Sequence, residues 1–366
     1  MSKPLLTVVI PTWNRKPLVE VAIDSICSQI GKLPVELIVS DHGSTDGTFE
    51  MLKEKRKTYP MLNPYVCRRV KEPDFSHNFQ FAFGLPESRW TWTFGDDDKM
   101  LPGALEKVVQ ILDDRVPFVH VGESSRTKNT MKVVEGTMME NCNDLGFLDF
   151  TGFITGNIIR SDKLKSAVNS ANWDLYAQSA FPQSLSLLEA LAYDYSAFID
   201  YGMIEAQDRE LSGNLRTEDD RGQRWANANI GARYSYIIPA LKVLLKHINY
   251  DKPLKPSFFR YLSYYLWDRF ALDTISTYTG MVINAPHDVF VHHFLWDLFA
   301  EMADFLDEEN KAKVKAEIYA GRDMMDQHME AVAAMNKAGQ AMDEYCSRHM
   351  TDQFPYNYIG AIGERT

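Results

Sequence analysis

Between residues 5 and 121, short apolar runs rich in β-branched and aromatic residues alternate with amphipathic stretches, and the runs stop at polar loops. The runs are LLTVVI at 5–10, VELIVS at 35–40, residues 65–70, WTWTF at 90–94 and PFVHV at 117–121. Runs this short suit strands buried on both faces, and the longer stretches between them suit crossover helices, expected at 17–30, 45–57, 77–84 and 102–112. Such alternation leads to an α/β fold, a mainly parallel sheet with flanking helices.

The text changes further along. Residues 130–159 are punctuated by Gly136, Gly146, Gly152 and Gly156 and read as strands and loops that complete the sheet. Beyond Arg221 long aromatic helices are expected at 234–247, 258–277, 287–305 and 309–349. The division is therefore 1–220 for an α/β domain and 221–366 for a C-terminal all-helical region serving acceptor, assembly or homo-oligomer contacts, with direct packing of the helices on the sheet as the alternative. With 366 residues, 45% of them hydrophobic, the chain can bury a core of that size.

A net charge of −11 gives no general attraction to nucleic acid or to anionic lipid headgroups, so no nucleic-acid partner is expected. Cys27, Cys67, Cys142 and Cys346 are far apart and match neither a disulfide framework nor a zinc site, which fits a reducing, cytoplasmic setting. The first apolar run ends at Pro11, too short for a signal-peptide core, and no stretch reaches transmembrane length without charges. The expectation is a cytoplasmic protein without a transmembrane segment, with peripheral contact at the inner face of the membrane.

Asp96, Asp97 and Asp98 follow the fourth run, at the carboxyl end of a strand, where open α/β sheets bind ligands. Two like charges about 4 Å apart repel by about 4 kcal/mol at an effective dielectric of about 20, so something positive must compensate. Hard oxygen ligands suit Mg²⁺ or Mn²⁺ shared with phosphates; the alternative is a solvated acidic turn. Asp41 ends the second run, where a carboxylate can accept hydrogen bonds from a base or ribose, and Ser44 and Asp46 follow it; Asp46 serves equally as a helix N-cap. Pro11-Thr12-Trp13-Asn14-Arg15 after the first run combines an aromatic, an amide and a cation, suited to a nucleotide or simply to a polar loop.

In order, VVIPTWNR, DHGSTDGT, the Asn78 of FSHNFQFA, and FGDDDKMLPGALEKV resemble family-2 glycosyltransferases of the GT-A fold. The FGDDD block is similar to the abequosyltransferase-like branch, which acts on bacterial surface polysaccharide intermediates, and Thr155-Gly156-Asn157 looks like the family's acceptor-side loop. The resemblance implies an inverting, metal-dependent transfer of sugar from a nucleotide-sugar donor to a glycan or lipid-linked glycan acceptor. It places Pro11, Thr12, Asn14, Arg15, Ser44 and Asn78 around the nucleotide and Asp41 on the base. Asp96 and Asp97 then face the donor, and Asp96 and Asp98 hold Mn²⁺ or Mg²⁺.

One position departs from the family. The Glu-Asp pair that commonly supplies the general base corresponds here to Pro182-Gln183, and an amide cannot take a proton. Asp174 beside Trp173, Glu189 in an apolar helical run, and Asp208 are the substitutes, with Asp174 first because an aromatic ring beside a carboxylate suits a sugar pocket. Gln183 is read as an acceptor contact. His292 and His293 near Trp296 and Asp297 read as a packed helix rather than a second metal site, and Met324, Met325, Met329, Met335 and Met342 as core or oligomer contact. The missing pair keeps open a second class of function, a catalytically silent nucleotide-sugar or glycan-binding module. A nucleotide-sugar pyrophosphorylase would need a Gly-rich phosphate loop that PTWNRK lacks.

Overall fold

The computed structural model describes residues 3–67, 75–125, 127–207, 236–262, 296–297 and 300–337. Its centre is a nine-stranded sheet with strands β1 (Leu6–Thr12), β2 (Val35–Asp41), β3 (Leu62–Val66), β4 (Trp90–Thr93), β5 (Asp98–Met100), β6 (Phe118–Glu123), β7 (Val133–Thr137), β8 (Asn157–Arg160) and β9 (Tyr195–Ala206). The order is β3-β2-β1-β4-β8-β6-β9-β5, with β7 paired to β9. Every residue of β1 is buried, as its unbroken apolar run requires of a strand covered on both faces.

The crossover helices follow from the same pattern. Helix α1 (Lys16–Ile30) carries proline in its first turn, buries Leu18, Val19, Ala22, Ile23, Ile26, Cys27 and Ile30 as one stripe, and ends at Gly31 with φ 48°. Helices α2 (Thr48–Thr58), α3 (Phe75–Gly84) and α4 (Ala104–Ile111) occupy the other expected places. The third strand begins earlier than its apolar run suggests. Leu62 is its buried residue and pairs with Leu37, whereas Tyr65 and Val66 are exposed at the sheet edge; residues 68–70 of the expected strand lie outside the described residues.

The sheet is parallel from β3 to β4 and mixed beyond it. Strand β8 runs antiparallel to both β4 and β6, so its first residues lie beside the carboxyl end of β4 and the middle of β6. That reversal delivers the 3₁₀ turn Ile154–Gly156 to the same edge of the sheet as Asp96. The long β9 pairs parallel with β6 and antiparallel with β5 and β7. Its text, YSAFIDYGMIEA, mixes buried and half-exposed positions and carries no continuous apolar run. Helices α5 (Met138–Leu145), α6 (Phe147–Thr151), α7 (Ser161–Val168), α8 (Trp173–Tyr176) and α9 (Pro182–Leu191) fill the connections, two of them within the stretch read as strands and loops.

The chain divides into two compact units. The first comprises Met1–Asn141, Phe150–Asp174 and Pro182–Trp225; the second takes Cys142–Asp149 and Leu175–Phe181 together with Ala226–Thr366. In the second unit, helix α10 (Ile237–His247), 3₁₀ turns at Pro256–Phe259 and Glu301–Phe305, and helix α11 (Glu308–Lys337) are described. Phe147 stacks on Phe258 at 5.1 Å, Phe259 packs against both Phe258 and Phe305, and Arg260 meets Asp149 at 3.3 Å. These contacts explain why a segment from the first half of the chain belongs with the late helices. The expected helices at 258–277 and 287–305, His292 and His293, and the end of the last helix fall largely outside the described residues. Among the described residues no helix is long and apolar enough to cross a membrane.

Close packing at the start of β8 yields a test. A Cβ on Gly156 would lie 2.5 Å from His120 Cε1 and 2.7 Å from the Val121 carbonyl, and backbone cannot move aside cheaply. Gly156→Ala is expected to destabilise the first unit by about 1–3 kcal/mol, read as a lower melting temperature by circular dichroism. An unchanged melting temperature would show that this edge is loosely packed.

Candidate active site

Strand β1 sits between β2 and β4, so the loops following all three open side by side at one edge of the sheet. The chain leaves β1 toward β2 on one side, while β4 joins on the other; this is a topological switch point, the crevice where α/β sheets bind ligands. A hydrogen bond from Thr12 Oγ1 to Asp96 Oδ2, 2.8 Å, spans it.

The β1 and β2 loops are tied together by short polar side chains. Asn14 adopts φ 50°, a left-handed conformation that asparagine tolerates, and its N–H donates to Ser44 Oγ at 2.8 Å. Its side-chain oxygen accepts from the Thr45 N–H at 2.7 Å. Ser44 donates through both its N–H and its hydroxyl to Asp41 Oδ1, at 3.0 and 2.5 Å. Asp41 is buried, and desolvation raises its proton affinity against the Ser44 hydrogen bonds that lower it. Asp46 accepts from the N–H groups of Lys16 and Thr48, the first residues of α1 and α2, and so ties the starts of both helices together, although the N-cap positions are Arg15 and Gly47. Asn78 is a brace: it accepts from Ser40 Oγ at 2.8 Å and donates to the carbonyls of Thr12 and Ser40, both at 3.3 Å. Pro11 lies within β1, buried, opposite Ser40.

The Arg15 guanidinium lies 2.9 Å from Asp96 and 3.2 Å from Asp97, supplying the positive charge that three adjacent carboxylates demand. Asp98, the first residue of β5, accepts a hydrogen bond from the Thr155 hydroxyl on the neighbouring 3₁₀ turn. Gln207, just beyond β9, donates its N–H to the Asp97 carbonyl and its amide to the Asp98 carbonyl, both at 3.1 Å. Gly95 leaves room for this assembly, since a Cβ there would meet Asp98 Oδ2 and Thr155 Oγ1 at 2.9 Å and Asp97 Oδ1 at 3.1 Å. One guanidinium does not balance three carboxylates. Burial first, then Asp97, pushes the Asp98 carboxyl up to about 7 against the Thr155 hydrogen bond, with Asp96 and Glu123 adding to the rise. Burial also raises Asp96, which Arg15 opposes. Among the described residues no three His, Cys, Asp or Glu side chains converge as a self-sufficient metal cage. The loop instead offers a few hard oxygens around Gly95 and an excess of negative charge.

The indole of Trp173 is buried and stacked on Phe79, with centroids 6.3 Å apart and planes 20° apart. The aromatic motive for choosing Asp174 is thereby corrected, because that ring is committed to the core rather than to a sugar face. Asp174 itself is exposed on α8. Both carboxylate oxygens of Glu189 are engaged, one by the Ser170 hydroxyl at 2.5 Å and one by Asn172 Nδ2 at 2.9 Å. Gln183 is buried in the first turn of α9, its amide nitrogen 3.5 Å from the Gly152 carbonyl and its oxygen without a partner among the described residues. Asp208 lies outside the described residues. Glu123, which sequence reasoning passed over, ends β6 buried and close enough to influence Asp98. Its signal was an acidic residue closing an apolar strand run, FVHVGE.

The geometry agrees with comparisons to known proteins. Residues 7–164 match the model of Glycosyl transferase family 2. Abequosyltransferase RfbV of Salmonella typhimurium strain LT2 is 35% identical over 115 residues, which cover 30% of this chain and 33% of RfbV. The GalNAc(5)-diNAcBac-PP-undecaprenol beta-1,3-glucosyltransferase of Campylobacter jejuni is 31% identical over 150 residues, 40% of this chain and 47% of that protein. The chain thus spans a third to about half of the length of these curated relatives. The crystal structure of S. aureus TarS 1-349 in complex with UDP-GlcNAc has the same fold, with a TM-score of 0.55 at 15% identity over 92% of this chain and 93% of that one. Through residues 7–164, then, the chain carries a glycosyl transferase family 2 domain built on the GT-A fold.

Proposed function

We propose that this protein transfers a sugar from a nucleoside-diphosphate sugar to an acceptor hydroxyl on a glycan or lipid-linked glycan of the bacterial surface, with a divalent cation, Mn²⁺ or Mg²⁺, at Asp98. The observation that carries the reading is the Asp96-Asp97-Asp98 loop, set at the switch point with one guanidinium against three carboxylates. A divalent cation fits that deficit, since an ion that shares its coordination with phosphates needs only one or two protein carboxylates. The relatives support the acceptor class, one being an abequosyltransferase and the other bearing a PP-undecaprenol acceptor in its name.

In this reading Asp98 holds the cation, assisted by Asp96, whose own oxygens also meet Thr12 and Arg15. When bound, the cation offsets the charge that develops on the departing nucleoside diphosphate. Asp41, held by Ser44, accepts hydrogen bonds from the base or ribose, and Asn14 and Asn78 keep the two nucleotide loops in register. Inversion at the anomeric carbon needs a carboxylate to take the acceptor's proton. Asp174 remains the candidate, since Glu189 spends both oxygens on Ser170 and Asn172. The setting is the cytoplasmic face of the membrane, with the helices beyond residue 221 serving acceptor, assembly or homo-oligomer contacts.

Three outcomes are expected. In a thermal-shift panel of UDP-, GDP- and dTDP-sugars with MnCl₂, one donor stabilises the protein by about 2.7 kcal/mol at about 100 times its Kd, and Asp98→Ala abolishes the metal-dependent share. Stabilisation unchanged by EDTA would defeat the cation assignment, and specific binding without turnover would favour the silent module.

The second concerns pH. The folded chain keeps a proton on Asp98 up to about 7, against an ordinary value of 3.8, whereas the unfolded chain releases it. Stability from this group is therefore full below about pH 4 and declines as pH rises toward 7. Asp98→Asn should gain stability relative to the native protein across that window. Stabilisation by Mn²⁺, which displaces the proton, should grow between about pH 6 and about pH 8. A pH-independent difference between the two proteins would refute it.

Third, Asp174→Asn lowers kcat by about 10² to 10⁴-fold with donor affinity unchanged, while Glu189→Gln has a smaller effect. Full turnover by Asp174→Asn in a steady-state assay would move the base elsewhere.

A further inference from the structure

The Thr155 hydroxyl joins two parts of the site that lie 57 residues apart in sequence. It accepts the Gly95 N–H at 2.8 Å and touches Asp98 Oδ2. A hydroxyl has one proton, and with Gly95 donating to its oxygen, that proton points at Asp98. The direction of the chain is thus Gly95 N–H to Thr155 to Asp98.

Thr155 has no freedom to do otherwise. It is buried, and its carbonyl accepts from Trp92 Nε1 at 2.7 Å. Thr93 Oγ1 donates to the Ile154 carbonyl at 2.6 Å and lies 3.2 Å from the Asn157 carbonyl. The Asn157 side chain is held between His120 Nδ1 at 2.8 Å and the Thr151 carbonyl at 2.9 Å. Gly156 admits no Cβ against His120. The turn is therefore clamped to β4 and β6, and its β-branched side chain has few rotamers to choose from.

We propose that Thr155 is a positioning residue which, by claiming Oδ2 of Asp98, leaves Oδ1 for the cation and so lets the turn on the acceptor side set the carboxylate on the donor side. This rests on the cation reading above. A hydrogen bond to a charged carboxylate is among the stronger kinds, so its loss should be measurable in cation affinity.

The test uses Thr155→Val, which removes the hydroxyl at nearly constant volume, with Thr155→Ala and Thr155→Ser in the full-length protein. Bound Mn²⁺ is counted by the loss of the free-ion paramagnetic resonance signal, with whichever of UDP, GDP or dTDP stabilises the native protein. Val and Ala are expected to weaken Mn²⁺ by about tenfold or more, and Ser to stay within about twofold of native. Nucleotide affinity in EDTA is expected to be the same for all. Native-like Mn²⁺ affinity in Val and Ala, or an equal loss in Ser or in EDTA, overturns the positioning role; should Val not fold, the Ala and Ser pair decides. Failure of the native protein to bind Mn²⁺ at all would instead remove the functional reading, and this inference with it.

Discussion

Three carboxylates in succession at the end of a buried strand are electrostatically unfavourable, and much of the first unit's polar structure is arranged around that fact. Arg15 comes from the β1 loop, Thr12 from the last residue of β1, Thr155 from the turn before β8 and Gln207 from beyond β9. Each binds a different part of the loop: a carboxylate oxygen, or a backbone carbonyl. The loop is thereby held from several sides, with the Arg15 guanidinium set against its three carboxylates.

The β1 and β2 loops show the complementary economy. Asn78 and Asp46 spend most of their hydrogen bonds on backbone, bracing β1 against β2 and tying together the starts of α1 and α2. Asp41 is steadied by Ser44, and Ser44 by Asn14. Several residues that belong to one motif thus act through others, keeping a small number of groups in place for a ligand. Preorganisation of this kind lowers the entropic cost of binding without adding contacts.

The segment around Gln183 is built differently. Gln183, which the resemblance sets at the family's base position, lies against the Gly152 carbonyl at the head of the loop that carries Thr155. An amide there supports the geometry of the loop without proton transfer. The carboxylates nearby are distributed over separate elements: Asp174 on α8, Glu189 on α9 and Glu123 at the end of β6.

Much of the parallel half was legible in the sequence, because a strand buried on both faces must be a continuous apolar run and a crossover helix must carry a stripe. The runs at 5–10, 35–40 and 90–94 became β1, β2 and β4, and the polar loops after them hold the residues read as the site. Pro17 in the first turn of α1 and Gly31 just beyond its end suit their places for local reasons of the same kind. What the sequence alone could not decide was order and partnership. That β1 lies between β2 and β4, so that Thr12 reaches Asp96, depends on pairing between strands 84 residues apart at that contact. The antiparallel insertion of β8, which brings Thr155 to Asp98, and the mixed exposure of β9 depend on neighbours that no local pattern encodes. The burial of Trp173 against Phe79 is of the same kind. Residue types and their spacing determined which chemistry the chain carries; long-range packing alone determined which oxygen meets which donor, because hydrogen-bond direction and desolvation are properties of the assembled site.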